Sequence, residues 1–266
     1  MDHDSDGAAT LPTTGYDSLD SERDGPVLRV WLNRPHKLNA VDAVVLEEVG
    51  DLFRSLERET EARVVVFGGR GRSFCVGADR DPAPHPRPPR TERAKRWVGD
   101  LGRRASRAIE DCEIPTVARV QGHAIGGGMC FALSCDFRVT TPETQWYLPE
   151  VELGVPLTWA AIPRLTQEIG MARSRQLVML AHRIDGRTAA DWSVAHECVE
   201  LEELDDAITR WTDRIVGLPE LAVHMTKTTF RGYNRTMSLG DASEADADLI
   251  RLAQMDPEVA ARFGLR

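Results

Sequence analysis

The chain has 266 residues, 42% of them hydrophobic, with 42 acidic and 33 basic side chains and a formal charge of −9. That length fits one domain, or one domain with an appendage, and buries roughly three quarters of the unfolded surface. The acidic balance argues against a general nucleic-acid binder, which needs clustered Lys and Arg, but leaves room for a small anion at a locally basic site. In chain order, residues 1–16 are acidic and polar with no apolar stretch, so they read as a disordered leader rather than a signal peptide. Residues 27–33 (VLRVWLN) read as a strand, broken by Arg34-Pro35-His36-Lys37. Asp42 is placed to cap a helix over 42–59, where Val45, Val49, Leu52, Phe53 and Leu56 recur at helical spacing. Residues 63–67 (RVVVF) read as a parallel strand buried on both faces. Residues 81–96 (DPAPHPRPPRTERAKR) carry five prolines and form a surface loop running into a basic helix that ends near 109. It reads either as a lid or as a disordered excursion. Residues 116–120 and 136–140 read as strands, and Gly126-Gly127-Gly128 opens a helix reaching about 134. Beyond Pro156 the pattern turns helical, with helices expected over 173–183, 189–195, 204–216 and 220–230. Strands and helices alternating from 27 to 140 argue for an α/β core.

Cys75, Cys112, Cys130, Cys135 and Cys198 lie at irregular spacings that make no disulfide framework, which points to a reducing, cytoplasmic compartment. No run of about 18 apolar residues occurs, so no membrane span is expected. No metal site is expected either: His196-Glu197 is not followed by a second histidine four residues on. G-x-S-x-G is absent.

Two glycine-bearing loops stand out, residues 73–79 (SFCVGAD) and 122–128 (GHAIGGG). The second has neither dinucleotide-fingerprint spacing nor the Lys-Ser/Thr of a phosphate loop. Glycines at a helix start leave bare N–H groups carrying partial positive charge. Two uses fit: stabilising a developing oxyanion, or close helix–strand packing.

Four motifs in order make the chain resemble the enoyl-CoA hydratase/isomerase (crotonase) family over roughly residues 25–235. They are residues 32–40 (LNRPHKLNA), 72–79 (RSFCVGAD), the 122–128 block with Cys135-Asp136-Phe137-Arg138, and 149–154 (PEVELG). The resemblance implies an α/β crotonase-like spiral of ββα units over 17–200. It also implies a C-terminal helical region over 201–266 that packs subunits into a homotrimer or a dimer of trimers. The substrate implied is an acyl-CoA thioester, with no cofactor beyond the coenzyme A it carries. Carried over, the Ala78 and Gly127 N–H groups form an oxyanion hole and Glu150 is the acid/base. Arg34, Lys37, Val76, Ala78 and Asp79 line the CoA path, and Lys227 stands where a C-terminal basic residue often approaches it. For the basic residues, a solvated charge is the competing reading.

The chain departs from the family at Cys130, where hydratases place a second glutamate. Hydration draws on two carboxylates, and a thiol with a reference pKa of about 8.5 is a poor substitute. One carboxylate is enough to shuttle a proton between Cα and Cγ, converting a 3-enoyl to a 2-enoyl thioester. Thr158, at the third carboxylate position of dienoyl-CoA isomerases, argues against that reaction. Three alternatives stay open: a one-glutamate hydratase, a non-catalytic binder, and a thioesterase using Cys130 with His123. A helix N-terminus would favour the last by lowering the thiol's pKa. A small buried apolar side chain is the competing reading of Cys130. Cys130, Trp146, Leu157 and Trp159 are expected to line the substrate pocket, and the bulky neighbours of Glu150 to raise its pKa.

Overall fold

The computed structural model describes residues 15–237 and 245–262. The expected leader therefore lies, except for Gly15 and Tyr16, outside the described residues. The strands are β1 (Leu19–Asp24), β2 (Val27–Leu32), β3 (Val64–Gly69), β4 (Thr116–Val120), β5 (His123–Ile125), β6 (Phe137–Thr140), β7 (Gln145–Tyr147) and β8 (Glu197–Cys198). The helices of the core are α1 (Ala43–Ser55), α2 (Glu92–Gly99), α3 (Leu101–Asp111), α4 (Gly127–Ser134), α5 (Ala161–Met179) and α6 (Gly186–Asp191). They are followed by α7 (Leu204–Val216), α8 (Glu220–Met237), α9 (Asp246–Ala253) and α10 (Pro257–Arg262).

The main sheet runs β1-β2-β3-β4-β6-β8. All its pairs are parallel except the β1–β2 hairpin. Side chains alternate across β3, which is why an unbroken apolar run suits it. Val65 and Phe67 join Val45, Val49, Leu52 and Phe53 of α1 and Ala105 and Ile109 of α3 in one core. Val64 and Val66 face the other way, onto Leu204, Ala207 and Ile208 of α7. Phe67 sits edge-on to Phe53, Phe74 and Phe131 at centroid distances of 5.3, 5.7 and 6.0 Å, locking the sheet to the loops and helix that follow it.

A second, smaller layer carries the site. β5 and β7 pair in parallel, and isolated pairings extend them on both sides: Cys75 with Ala124, Val41 with Ala78, and Trp146 with Ile184.

The Cys-Asp-x-Arg segment proves to be structural. Asp136 accepts from the Thr116 N–H (2.7 Å) and hydroxyl (2.8 Å) and from Lys227 Nζ (2.6 Å). Arg138 is fully buried and donates to the Val194 carbonyl (2.6 Å), the Cys135 carbonyl (2.8 Å) and Glu168 (2.9 Å). These bonds tie β6 to α5 and to the turn after α6.

Several elements differ from expectation for physical reasons. The helix expected over 173–183 is the second half of α5, which starts at Ala161 despite Pro163 and Gly170. Proline is tolerated in a first helical turn, and Gly170 takes φ 76°, which kinks the helix instead of ending it. The basic helix before 109 is two helices divided at Asp100, whose carboxylate is held by Arg103 (2.7 Å) and Arg104 (2.9 Å). α8 continues to Met237, past the expected 230.

Arg138→Met strands the buried Val194 and Cys135 carbonyls and releases Glu168, whose side chain is partly in solvent. It is expected to lower unfolding free energy by about 2–4 kcal/mol, read from urea titration. A loss below about 1 kcal/mol would show the network to be dispensable.

Candidate active site

Loops that follow β3 and β4 build the site, and two buried amides position them. Asn39 accepts from the Arg34 N–H (2.9 Å) and donates to the carbonyls of Arg70 (2.9 Å) and Ser73 (2.8 Å). Gln121 donates to the carbonyls of Gly69 (2.8 Å) and Gly71 (2.9 Å). Residues 74–75 then run alongside 121–125. The Cys75 N–H donates to the His123 carbonyl (2.9 Å), and the Ile125 N–H donates back to Cys75 (3.0 Å). Glycine is required twice at this seam. A Cβ on Gly77, whose φ is 82°, would lie 2.6 Å from the Ile125 carbonyl oxygen, and one on Gly128 would collide with that of Cys75.

The parallel register then sets the chemistry. Cys75 pairs with Ala124, so the residues three further on, Ala78 and Gly127, come side by side. The point where a Gly77 Cβ would stand is 3.4 Å from the Gly127 nitrogen. The N–H groups flanking Ala78 are engaged: Gly77 donates to Cys75 Sγ (3.4 Å) and Asp79 to the Val41 carbonyl (2.8 Å). The Ala78 N–H has no acceptor among the described residues. Gly127 is the first residue of α4, so its N–H has no intrahelical partner and carries the helix dipole. Two free donors from adjacent segments of the chain suit an oxygen that gains negative charge.

Glu150 opens a single helical turn directly after β7. That strand is tied to the hole, because the Gly126 N–H donates to the Tyr147 carbonyl (2.8 Å). Oε1 lies 3.0 Å from where a Gly126 Cβ would stand, so the glycine makes room for the carboxylate. Oε2 is closed off from solvent and has no hydrogen-bond partner among the described residues. Burial raises the Glu150 pKa to about 7, as its apolar neighbours predict. A carboxyl that titrates near neutrality, with one oxygen unpartnered, is suited to taking and returning a proton.

Cys130 corrects one expectation. Although it lies in the first turns of α4, burial raises its thiol well above the usual range, and the charge of Glu150 adds to this. Desolvation is the largest cause, so the group stays a neutral thiol. Nor is His123 its partner, since Nδ1 bonds the Ser73 hydroxyl (2.8 Å). A Cys130 thiolate nucleophile has no support here.

Of the expected pocket residues, Trp146 and Leu157 belong to the core. Trp146 is fully buried and donates from Nε1 to the Thr140 hydroxyl (3.2 Å), which corrects its assignment to the pocket. Trp159 does reach the site. Its indole lies on Gly127 and Gly102, where any Cβ would overlap the ring, and it packs against Phe131 at 5.5 Å. Trp159 and Ala160 are both left-handed, with φ of 61° and 55°. For non-glycine residues that costs about 1–2 kcal/mol each. Arg164 holds the turn by donating to the carbonyls of Trp159 (2.8 Å) and Ala160 (3.1 Å), and Asp246 accepts from the Ala160 N–H (3.1 Å).

Next to Ala78, Asp79 gathers Arg34 (2.9 Å) and Lys37 (2.9 Å), and Arg34 also pairs with Asp42 (3.3 Å). Burial pushes the Asp79 carboxyl up, but hydrogen bonds from Lys37, the Asp81 N–H and Arg34 outweigh it and hold the group below its usual range. Val76 is half-buried beside them, with its N–H on the Leu38 carbonyl (3.3 Å). Lys227 is elsewhere. Its ammonium is buried between Asp136 (2.6 Å) and the Ile114 carbonyl (2.9 Å), so its expected approach to CoA is corrected to a structural ion pair. Asn39, Gln121, Arg164 and Asp246 were not foreseen as site-building residues. Only Asn39, within residues 32–40, had a signal in the sequence.

A family model described as enoyl-CoA hydratase/isomerase matches residues 22–259. The chain is 31% identical over 228 residues to a short-chain-enoyl-CoA hydratase of Clostridium acetobutylicum, covering 85% of this chain and 86% of that one. An enoyl-CoA hydratase crystal structure from Mycobacterium avium subsp. paratuberculosis superposes with a TM-score of 0.82 at 24% identity, over 93% of this chain and 94% of that one. A Thermobifida fusca protein crystallised in complex with CoA gives a TM-score of 0.77 at 28% identity, over 93% and 98%.

The raised Glu150 pKa has a consequence for stability. Between about pH 4.5 and 7 the folded chain binds more protons at this group than the unfolded one, so stability falls as pH rises through that window. Glu150→Gln is expected to match the wild type near pH 4 and to exceed it at pH 8, by at most about 3 kcal/mol. Urea unfolding at the two pH values checks this. Equal stability at pH 8 would mean that the carboxylate is not held out of water.

Proposed function

The chain belongs to the enoyl-CoA hydratase/isomerase family, and from that premise we propose that it moves a proton at the α-carbon of an acyl-CoA thioester, converting a 3-enoyl-CoA to a 2-enoyl-CoA. The observation that carries this reading is the Glu150 carboxylate, whose enclosed Oε2 has no partner among the described residues, beside the two free N–H groups. The thioester oxygen accepts from Ala78 and Gly127. Glu150 takes a proton from Cα, and the electron pair moves onto that oxygen as a dienolate. Glu150 then returns the proton to Cγ as the double bond shifts to the 2-position. Each donor to such an oxyanion is worth about 10²–10³ in rate. One carboxylate completes the cycle, and the neutral Cys130 thiol is not asked to act.

The T. fusca complex supports CoA as the carrier. The reading needs no cofactor beyond that CoA. Exposed Leu221, Met225 and Tyr233 on α8 support a homotrimer or a dimer of trimers, since apolar patches of this kind mark contact surfaces. Five unpaired cysteines support a reducing, cytoplasmic setting. Hydration by Glu150 alone is a second reading, favoured by the C. acetobutylicum relative's name.

Paired 3-enoyl- and 2-enoyl-CoA substrates, with products separated by chromatography, distinguish the two. Isomerised thioester is expected as the main product, and 3-hydroxyacyl-CoA as the main product would favour hydration. Glu150→Gln is expected to lower turnover about 10²–10⁴-fold with CoA affinity unchanged. For the wild type, kcat/KM is expected to rise with pH through about 7 as Glu150 loses its proton. Unchanged turnover in the variant would overturn the assignment. Cys130→Glu is expected to raise hydration of a 2-enoyl-CoA. No gain would mean that residue 130 is not what separates this site from a two-carboxylate one.

A further inference from the structure

We infer that Trp159 closes the acyl end of the site, that Asp246 of α9 holds it there, and that the C-terminal helices thereby restrict the substrate to short acyl chains. This rests on the acyl-CoA reading above. The two N–H groups fix the thioester oxygen between Ala78 and Gly127. Ala78 leads into Asp79 with its Arg34 and Lys37, so the sulfur and CoA leave on that side. The acyl chain leaves on the other, past Gly127, where the Trp159 indole lies. The ring fills the gap between α3 and α4 so closely that residue 102 has no room for a Cβ. It leans on Phe131, whose place in the aromatic cluster prevents it from yielding.

The indole is held by its own backbone. Two successive left-handed residues are not a conformation the chain keeps unaided. Arg164, itself paired with Glu110, fixes the carbonyl side. On the amide side the restraint comes from Asp246, which is nine-tenths buried. That residue starts α9, which is tied to α2 by Asp248 with Arg96 (3.1 Å) and by Arg251 with Glu92. Val259 of α10 packs on Gly154, at the end of the Glu150 turn. The C-terminal helices therefore lie over both Trp159 and the catalytic turn, and one carboxylate connects them to the indole's position.

Calorimetric titration of the full chain with CoA, butanoyl-CoA and decanoyl-CoA, none of which has a double bond to move, tests this. The wild type is expected to bind butanoyl-CoA more tightly than decanoyl-CoA. Trp159→Ala should shift that ratio at least about tenfold toward decanoyl-CoA, within the range that acyl-pocket fit provides. Trp159→Phe, a milder change to the fold, should shift it less in the same direction. Asp246→Ala should move it the same way, whereas Asp246→Asn keeps an acceptor oxygen and should retain the wild-type ratio. CoA itself should bind all four variants as it binds the wild type. An unmoved ratio in both Trp159 variants overturns the inference, and an unmoved ratio in Asp246→Ala overturns the part assigned to α9. A wild type that binds neither CoA nor either thioester would instead contradict the functional reading, before chain length enters.

Discussion

Three chain segments run parallel through the small layer beside the main sheet, with Cys75, Ala124 and Trp146 abreast. Ala78 and Gly127 lie three residues beyond the first two, and Glu150 four beyond the third. Because the segments run the same way, they leave the layer together, and the three functional groups emerge at one edge. Ligands of α/β folds collect where parallel strands end, and this site is a small instance of that rule. A one-residue slip in either pairing would turn an N–H away or move the carboxylate to the far face. Asn39 and Gln121 matter for this reason. Their amides bridge loops distant in sequence and prevent the slip.

The same arrangement leaves one oxygen of Glu150 without a partner among the described residues. An enclosed carboxylate oxygen with no donor is unfavourable, and most buried polar groups avoid it. Here the consequence is a carboxyl balanced between its charged and neutral forms near neutral pH. Cys130 fits the same logic. A second carboxylate there would share the space with Glu150 and raise its pKa further through like-charge repulsion. A neutral thiol leaves Glu150 to act alone, which accords with a reaction that moves a single proton.

Part of this was legible in the sequence. The triple glycine pointed to a bare helix start at Gly127, whereas Ala78 and Glu150 were singled out only through the family resemblance, because a backbone N–H and a lone glutamate in an acidic stretch carry no signal of their own. The glycines are legible because a side chain does not fit there. A Cβ at 77 or 128 would close the seam, and a Cβ at 126 would crowd the carboxylate. Strand β3 and helix α1 were legible from apolar spacing. The layer that carries the site was not, since β5 and β7 have three residues each, too few to show a period. Strand β1 was also missed, although Asp24-Gly25 marks its hairpin and Gly25 supplies the positive φ of 53°. Partner-dependent roles stayed hidden as well. Nothing in a lone Lys227 says that its charge is neutralised inside the fold by Asp136, and nothing in Asp246 says that it reaches the backbone beside Trp159.

Exchange at the α-carbon in heavy water tests the central claim most directly. A saturated acyl-CoA offers the same α-protons with no double bond to shift or hydrate, so proton abstraction is isolated from everything after it. Followed by proton NMR, the wild type is predicted to wash deuterium into that position, and Glu150→Gln to leave it unlabelled. Equal labelling by the two would contradict the account, because the proton would then be moving through some other group.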